Sequence, residues 1–127
     1  NFNEYAVKYL NMLLDGITDG KTGTIVHICG QMNGVYEQIN KVKADALSFD
    51  AVVPMREARM NLADRVLMGN VSTFGLEFGD EERVAGMTKA CMRNGSDIIA
   101  PACGLGTNSP IVNVKTILKT IKEETIK

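Results

Sequence analysis

The stretch TGTIVHICG, residues 22 to 30, places the chain's one histidine, His27, two positions before Cys29 inside an apolar run. If that run is a strand, side chains alternate across it, so His27 and Cys29 share one face while Val26 and Ile28 take the other. An imidazole and a thiol then meet at one spot. A second thiol, Cys103, ends the apolar run DIIAPAC, and Asp50 ends ALSFD. One nitrogen, two sulfurs and a nearby oxygen are donors that suit tetrahedral zinc, and catalytic zinc usually has three protein ligands with a fourth position free to exchange.

Taken singly, these residues have plainer uses. A lone histidine in a strand is often structural, and buried cysteines behave as small hydrophobes. His-x-Cys alone is a weak motif; the only histidine together with two of the three cysteines, all at the ends of apolar runs, is a stronger one. Cys91 differs, lying inside MTKACMRNG with Met87 one helical turn earlier, and reads as core. Asp50 could instead cap a helix or pair with Arg56 or Arg59. The loop CGLGTNSP either cradles an anion at the next helix or serves a tight turn.

The elements that must position these groups are legible as a pattern. NFNEYAVKYLNMLLDGITDG carries Phe2, Ala6, Tyr9, Leu10, Leu13 and Ile17 at helical spacing, with Gly20 as the stop. A strand follows at about Thr24 to Cys29, apolar on both faces as in a covered parallel sheet. A helix with Met32, Val35, Tyr36, Ile39 and Val42 on one face precedes ALSFD, and a shorter one around MREARMNLA precedes RVLMGNV. Next, GDEERVAGMTKACMRNG opens on Asp80 as N-cap with Glu81 and Glu82 in the first turn, and DIIAPACG is the last strand. The closing helix has Ser109 as cap, Pro110 at its first position, and Ile111, Val114, Leu118 and Ile121 facing inward. One helix and then four strand–helix units predict an α/β fold: half of a (β/α)8 TIM barrel, with four parallel strands alternating with helices. In such a barrel the chemistry sits at the C-terminal ends of the strands, where His27, Cys29, Asp50, Asn70 and Cys103 fall.

Composition narrows the classes. With 127 residues, 45% of them hydrophobic, the chain supports one core, so residues 1–127 read as a single half-barrel domain. A full barrel takes about 250 residues. The opening on Asn rather than Met also suggests a fragment of a longer barrel protein. A formal net charge of -1 gives no field for nucleic acid or an anionic membrane. No apolar run approaches the roughly 20 residues of a membrane helix, and three cysteines are read as reduced thiols, so a cytoplasmic protein is expected.

The segments IVHICG, ALSFD, GNVSTFGLEFGDEERV and IIAPACGLGTNSP, in that order, resemble the C-terminal half of the uroporphyrinogen decarboxylase superfamily. Within it they are most similar to the methylcobamide:coenzyme M methyltransferases, and the likeness runs from Thr24 onward. GNVS and the following GDEE are superfamily features, whereas His-x-Cys and the later ACG cysteine mark the zinc methyltransferase branch; the decarboxylases need no metal. The resemblance implies that His27, Cys29 and Cys103 bind zinc. Asp50 stands where zinc-binding relatives tend to have a longer glutamate, as a catalytic or tuning carboxylate, and Asn70 and Gly104 are the candidate cofactor-binding positions. The implied reaction moves a methyl group from a methylated corrinoid protein to a small thiol such as coenzyme M, which zinc holds as its thiolate. Cobalamin-independent methionine synthase shares the His-x-Cys, carboxylate and later Cys order but takes its methyl from a folate. A uroporphyrinogen decarboxylase-like protein is the other alternative, and GNVSTFGLEFGDEE favours the corrinoid branch over methionine synthase. The N-terminal half of the family's barrel has no counterpart in these residues.

A half-barrel has two unpaired edges and an inner apolar face, including Ile25, that the other half would cover. The chain is therefore expected to be a homo-oligomer, most simply a two-fold dimer. Sedimentation at micromolar concentration checks this, and a stable, well-folded monomer would contradict it.

Overall fold

The computed structural model describes residues 1–17 and 23–126. A π-helical turn, Asn3–Val7, runs into helix α1, Lys8–Ile17. There follow β1 (Ile25–Ile28), the single turn α2 (Tyr36–Ile39), β2 (Ala46–Phe49), α3 (Met55–Asn61), β3 (Val66–Met68), α4 (Thr73–Phe78), α5 (Glu81–Arg93) and α6 (Ile111–Ile126). Gly20, read above as the stop of the first helix, lies outside the described residues. No helix among the described residues is long and apolar enough to cross a membrane.

The sheet is parallel, in the order β1-β2-β3, and is not closed into a barrel. Four strands were expected; three form a continuous ladder among the described residues. The fourth segment does run parallel beside β3, but it is joined by isolated bridges, Met68 to Ile98 and Val71 to Pro101. Gly69 N–H donates to the Ile98 carbonyl, Val71 N–H to that of Ala100, and Ala102 N–H to that of Val71. One local cause interrupts the ladder: the Gly69 carbonyl, which lies between the two bridges, accepts the Ser96 hydroxyl at 2.7 Å. Gly69 itself takes a φ of +131°, and a Cβ at this position would lie 3.2 Å from the Phe49 carbonyl oxygen, so no other residue fits there without strain.

Alternation sets the two faces of the sheet. Val26, Leu47 and Leu67 pair in one row on the helix side, and all are buried. They meet Val7, Leu14, Met32, Tyr36, Ile39, Val42, Met55, Ala58 and Leu62 in one apolar core. A second cluster under α4, α5 and α6 gathers Val71, Leu76, Val84, Cys91 and Ile117. The opposite, inner face carries Ile25 and Val66, which are 54% and 41% exposed.

Several local readings hold and others shift. Asp80 caps α5 by accepting the Arg83 N–H at 2.8 Å, and Met32, Tyr36, Ile39 and Val42 are buried together as their spacing requires. Helix α4, capped by the Ser72 hydroxyl on the Gly75 N–H, was not anticipated. On the first helix Val7 and Leu14 are buried, while Tyr9, Leu13 and Ile17 face outward. Helix α6 is likewise rotated from the expected face: Asn113, Thr116, Ile117 and Thr120 are buried, and Ile111 and Leu118 are exposed. The reason is polar. Asn113 donates to the carbonyls of Leu76 and Gly79 at 2.9 Å each, satisfying the end of α4. Thr116 and Thr120 return their hydroxyls to carbonyls one turn back.

This rotation has a measurable consequence. Ile117→Ala should destabilise the fold by about 2–5 kcal/mol, whereas Leu118→Ala should change it by no more than about 0.5 kcal/mol in urea denaturation. Equal costs would mean that the helix turns its other face to the core.

Candidate metal site

The end of β1 and the end of the fourth segment bring three donors together. His27, Cys29 and Cys103 place one ligand atom each within 4.8 Å of one another, and all three residues are exposed. Nε2 of His27 lies 3.2 Å from Sγ of Cys29, and that sulfur lies 3.7 Å from Sγ of Cys103. The other ring nitrogen, Nδ1, is 2.9 Å from the Ser48 hydroxyl. Ser48 was not singled out from the sequence. Strand alternation puts it on the His27 side of the sheet, but only the register of β1 on β2 makes the two residues direct neighbours.

The remaining candidates take different places. The Asp50 carboxylate is half-buried and accepts the Gly30 N–H at 3.4 Å, outside the three-donor cluster. The arginines proposed as its alternative partners do not hold it: Arg59 is paired with Asp97 and donates to the Gly95 carbonyl, and Arg56 is exposed. Gly104 follows Cys103 and lines the inner cavity. Asn70 points elsewhere, its amide donating to the Asp50 and Val53 carbonyls at 3.0 and 2.7 Å. It thereby braces the loop after β2. Cys91 is buried as expected, with its thiol pushed up by desolvation. Ser109 makes no cap: its hydroxyl has no hydrogen-bond partner.

The donor set fits a divalent cation. The neighbouring Cys103, through its hydrogen bond, holds the Cys29 thiol above its ordinary value; burial, the charge of Cys103 and lastly that of Asp50 act in the same sense. Two adjacent sulfurs cannot both lose their protons cheaply unless a cation offsets the repulsion. A soft divalent ion bound by thiolate and imidazole supplies that charge. Beside the cluster the inner face forms a cavity of about 290 Å³, walled by Ile25, Met68, Pro101 and Ala102, with room for a small molecule.

With fold and site described, the family follows. The chain belongs to the uroporphyrinogen decarboxylase (URO-D) family, whose sequence profile matches residues 1–124. Methylcobamide:CoM methyltransferase MtbA of Methanosarcina acetivorans is 25% identical over 122 residues, which is 95% of this chain and 36% of that protein. A methylated-thiol–coenzyme M methyltransferase of Methanosarcina mazei is 31% identical over 104 residues, 80% of this chain and 28% of that one. A solved methyltransferase from Methanosarcina mazei shares the fold, with a TM-score of 0.87 and 24% identity over 98% of this chain and 37% of its own. The chain spans about a third of the length of the curated relatives it matches.

Cobalt(II), a spectroscopic stand-in for a tetrahedral ion, should bind with thiolate charge-transfer bands. Because the Cys29 proton is held tightly, it must be displaced on binding, so affinity should rise from about pH 6 to about pH 8. Cys103→Ser should remove most of the charge-transfer intensity; unchanged bands would exclude Cys103 as a ligand.

Proposed function

We propose that this chain carries the zinc site of a methyltransferase that moves a methyl group from a methylated corrinoid protein to a small thiol such as coenzyme M. The observation that carries the reading is the convergence of His27, Cys29 and Cys103 at the mouth of an apolar cavity on the inner face of the sheet. Family membership and the names of the relatives support it. We take residues 1–127 as one half-barrel domain of a longer, cytoplasmic barrel protein.

Zinc bound by His27, Cys29 and Cys103 would supply the positive charge that keeps the acceptor thiol deprotonated near neutral pH. The chain's own residues do the rest. His27 is held by its neighbours at both ring nitrogens, so it can serve as a ligand without a large rearrangement. Ile25, Met68 and Pro101 give the cavity an apolar wall beside the sulfurs. Asp50, oriented by the Gly30 N–H, adds a negative charge beside the sulfurs and is the proposed tuning group, or the occupant of the open position before substrate arrives. On the corrinoid side, Gly104 leaves open space where a side chain would begin, so a bulky cofactor could come close to Cys103. Asn70, the second proposed cofactor-side position, supports the site through the loop it braces.

Metal analysis should find one zinc per intact site and markedly less in Cys103→Ser. With the rest of the barrel supplied, zinc-loaded protein should consume methylcobalamin and methylate coenzyme M, and Asp50→Asn should slow this by about ten-fold or more. Methyl transfer from methyltetrahydrofolate instead would favour a methionine synthase-like role. Transfer from neither donor would count against the proposal.

A further inference from the structure

We propose that Ser48 is a positioning residue that holds the His27 ring through Nδ1 and supplies the acceptor that Nδ1–H requires whenever Nε2 turns its lone pair to the two sulfurs. This rests on the metal-site reading above and adds a residue to it. Ser48 is the one polar side chain of β2 and is only 4% exposed. Its neighbours on the inner face are apolar: Ala46 on its own strand, Ile25 and Met68 in the cavity wall. A buried hydroxyl among such groups is costly unless it is hydrogen-bonded. Among the described residues His27 is its partner, at 2.9 Å from Nδ1. The hydroxyl is therefore accounted for by the imidazole and by nothing else nearby.

The geometry divides the two nitrogens between two tasks. Nε2 faces Cys29, 3.2 Å away, and Nδ1 faces Ser48. A neutral imidazole donates from one nitrogen and accepts at the other. When Nδ1–H donates to the Ser48 oxygen, the lone pair lies on Nε2, at the corner where Cys29 and Cys103 meet. Without the hydroxyl, a proton on Nδ1 would face the apolar wall unpaired, and the ring would favour Nε2–H. That proton would then stand between the imidazole and any ion held by the sulfurs.

The test compares the wild-type chain with Ser48→Thr, Ser48→Val and Ser48→Ala. Thr and Val share a shape and differ in the hydroxyl, so their contrast survives any general loss of packing. Zinc affinity is read by competition with a chromophoric chelator. The ring is read by nitrogen-15 NMR of metal-free protein, and the single histidine makes the spectrum unambiguous. Removing a hydrogen-bonding partner of a metal-ligating histidine costs roughly ten- to a hundred-fold in affinity. Ser48→Val and Ser48→Ala should show that loss together with a shift toward Nε2–H, and Ser48→Thr should restore both. Equal affinity in Thr and Val variants overturns the role. If wild-type protein holds no zinc, the metal reading fails by itself; the NMR then decides for Ser48, and a tautomer balance unchanged by Ser48→Val overturns it.

Discussion

The parallel register of β1 on β2 on β3 is the constraint on which the rest depends. It is held from the helix side, where Val26, Leu47 and Leu67 form a buried row against α1, α2 and α3. Each such side chain contributes about 1.5–3 kcal/mol by leaving water. A slip of one residue would turn Val26 to the open inner face and drive His27 into the helix layer. The hydrophobic row thus fixes the polar row beside it, in which His27 stands opposite Ser48 and Ser48 opposite Met68. Cys103 is brought to the same place by a separate device. The hydrogen bonds of Val71 with Ala100 and Ala102 hold the fourth segment against the continuation of β3, although no regular ladder forms.

Environment divides the three cysteines. Cys91 lies on the buried face of α5 among Val71, Leu76 and Val84, where desolvation keeps its thiol protonated and inert. Cys29 and Cys103 are exposed and adjacent, so the protonation of Cys29 is governed first by Cys103 and last by Asp50. A pair of sulfurs beside a carboxylate gathers latent negative charge at one point. Such a site gains from a cation in a way that a buried thiol does not.

The sheet is covered on one side. Behind it Leu47, Phe49 and Leu67 are fully buried, whereas Ile25 and Val66 on the inner face are open. Parallel sheets are ordinarily covered on both faces. The same apolar wall that shapes the cavity next to His27 is therefore also a surface that water contacts unfavourably, and the cavity and the demand for a covering partner have one physical origin.

By itself, the sequence determined the parts governed by local order. Alternation in IVHIC put His27 and Cys29 on one face, Asp80 marked the start of α5, and the spacing of Met32, Tyr36, Ile39 and Val42 marked a buried face even though only one turn of helix forms there. The order of motifs was enough to indicate the family to which the chain belongs. Tertiary structure decided what depends on partners distant in sequence. The face of α6 was set by Asn113 reaching the carbonyls that end α4, a polar demand that an apolar count does not see. The fourth strand lost its regular ladder to the Ser96 hydroxyl, which takes the Gly69 carbonyl. Ser48 became part of the site only through register, because alternation says which face a side chain takes and not which residue of the next strand it will meet.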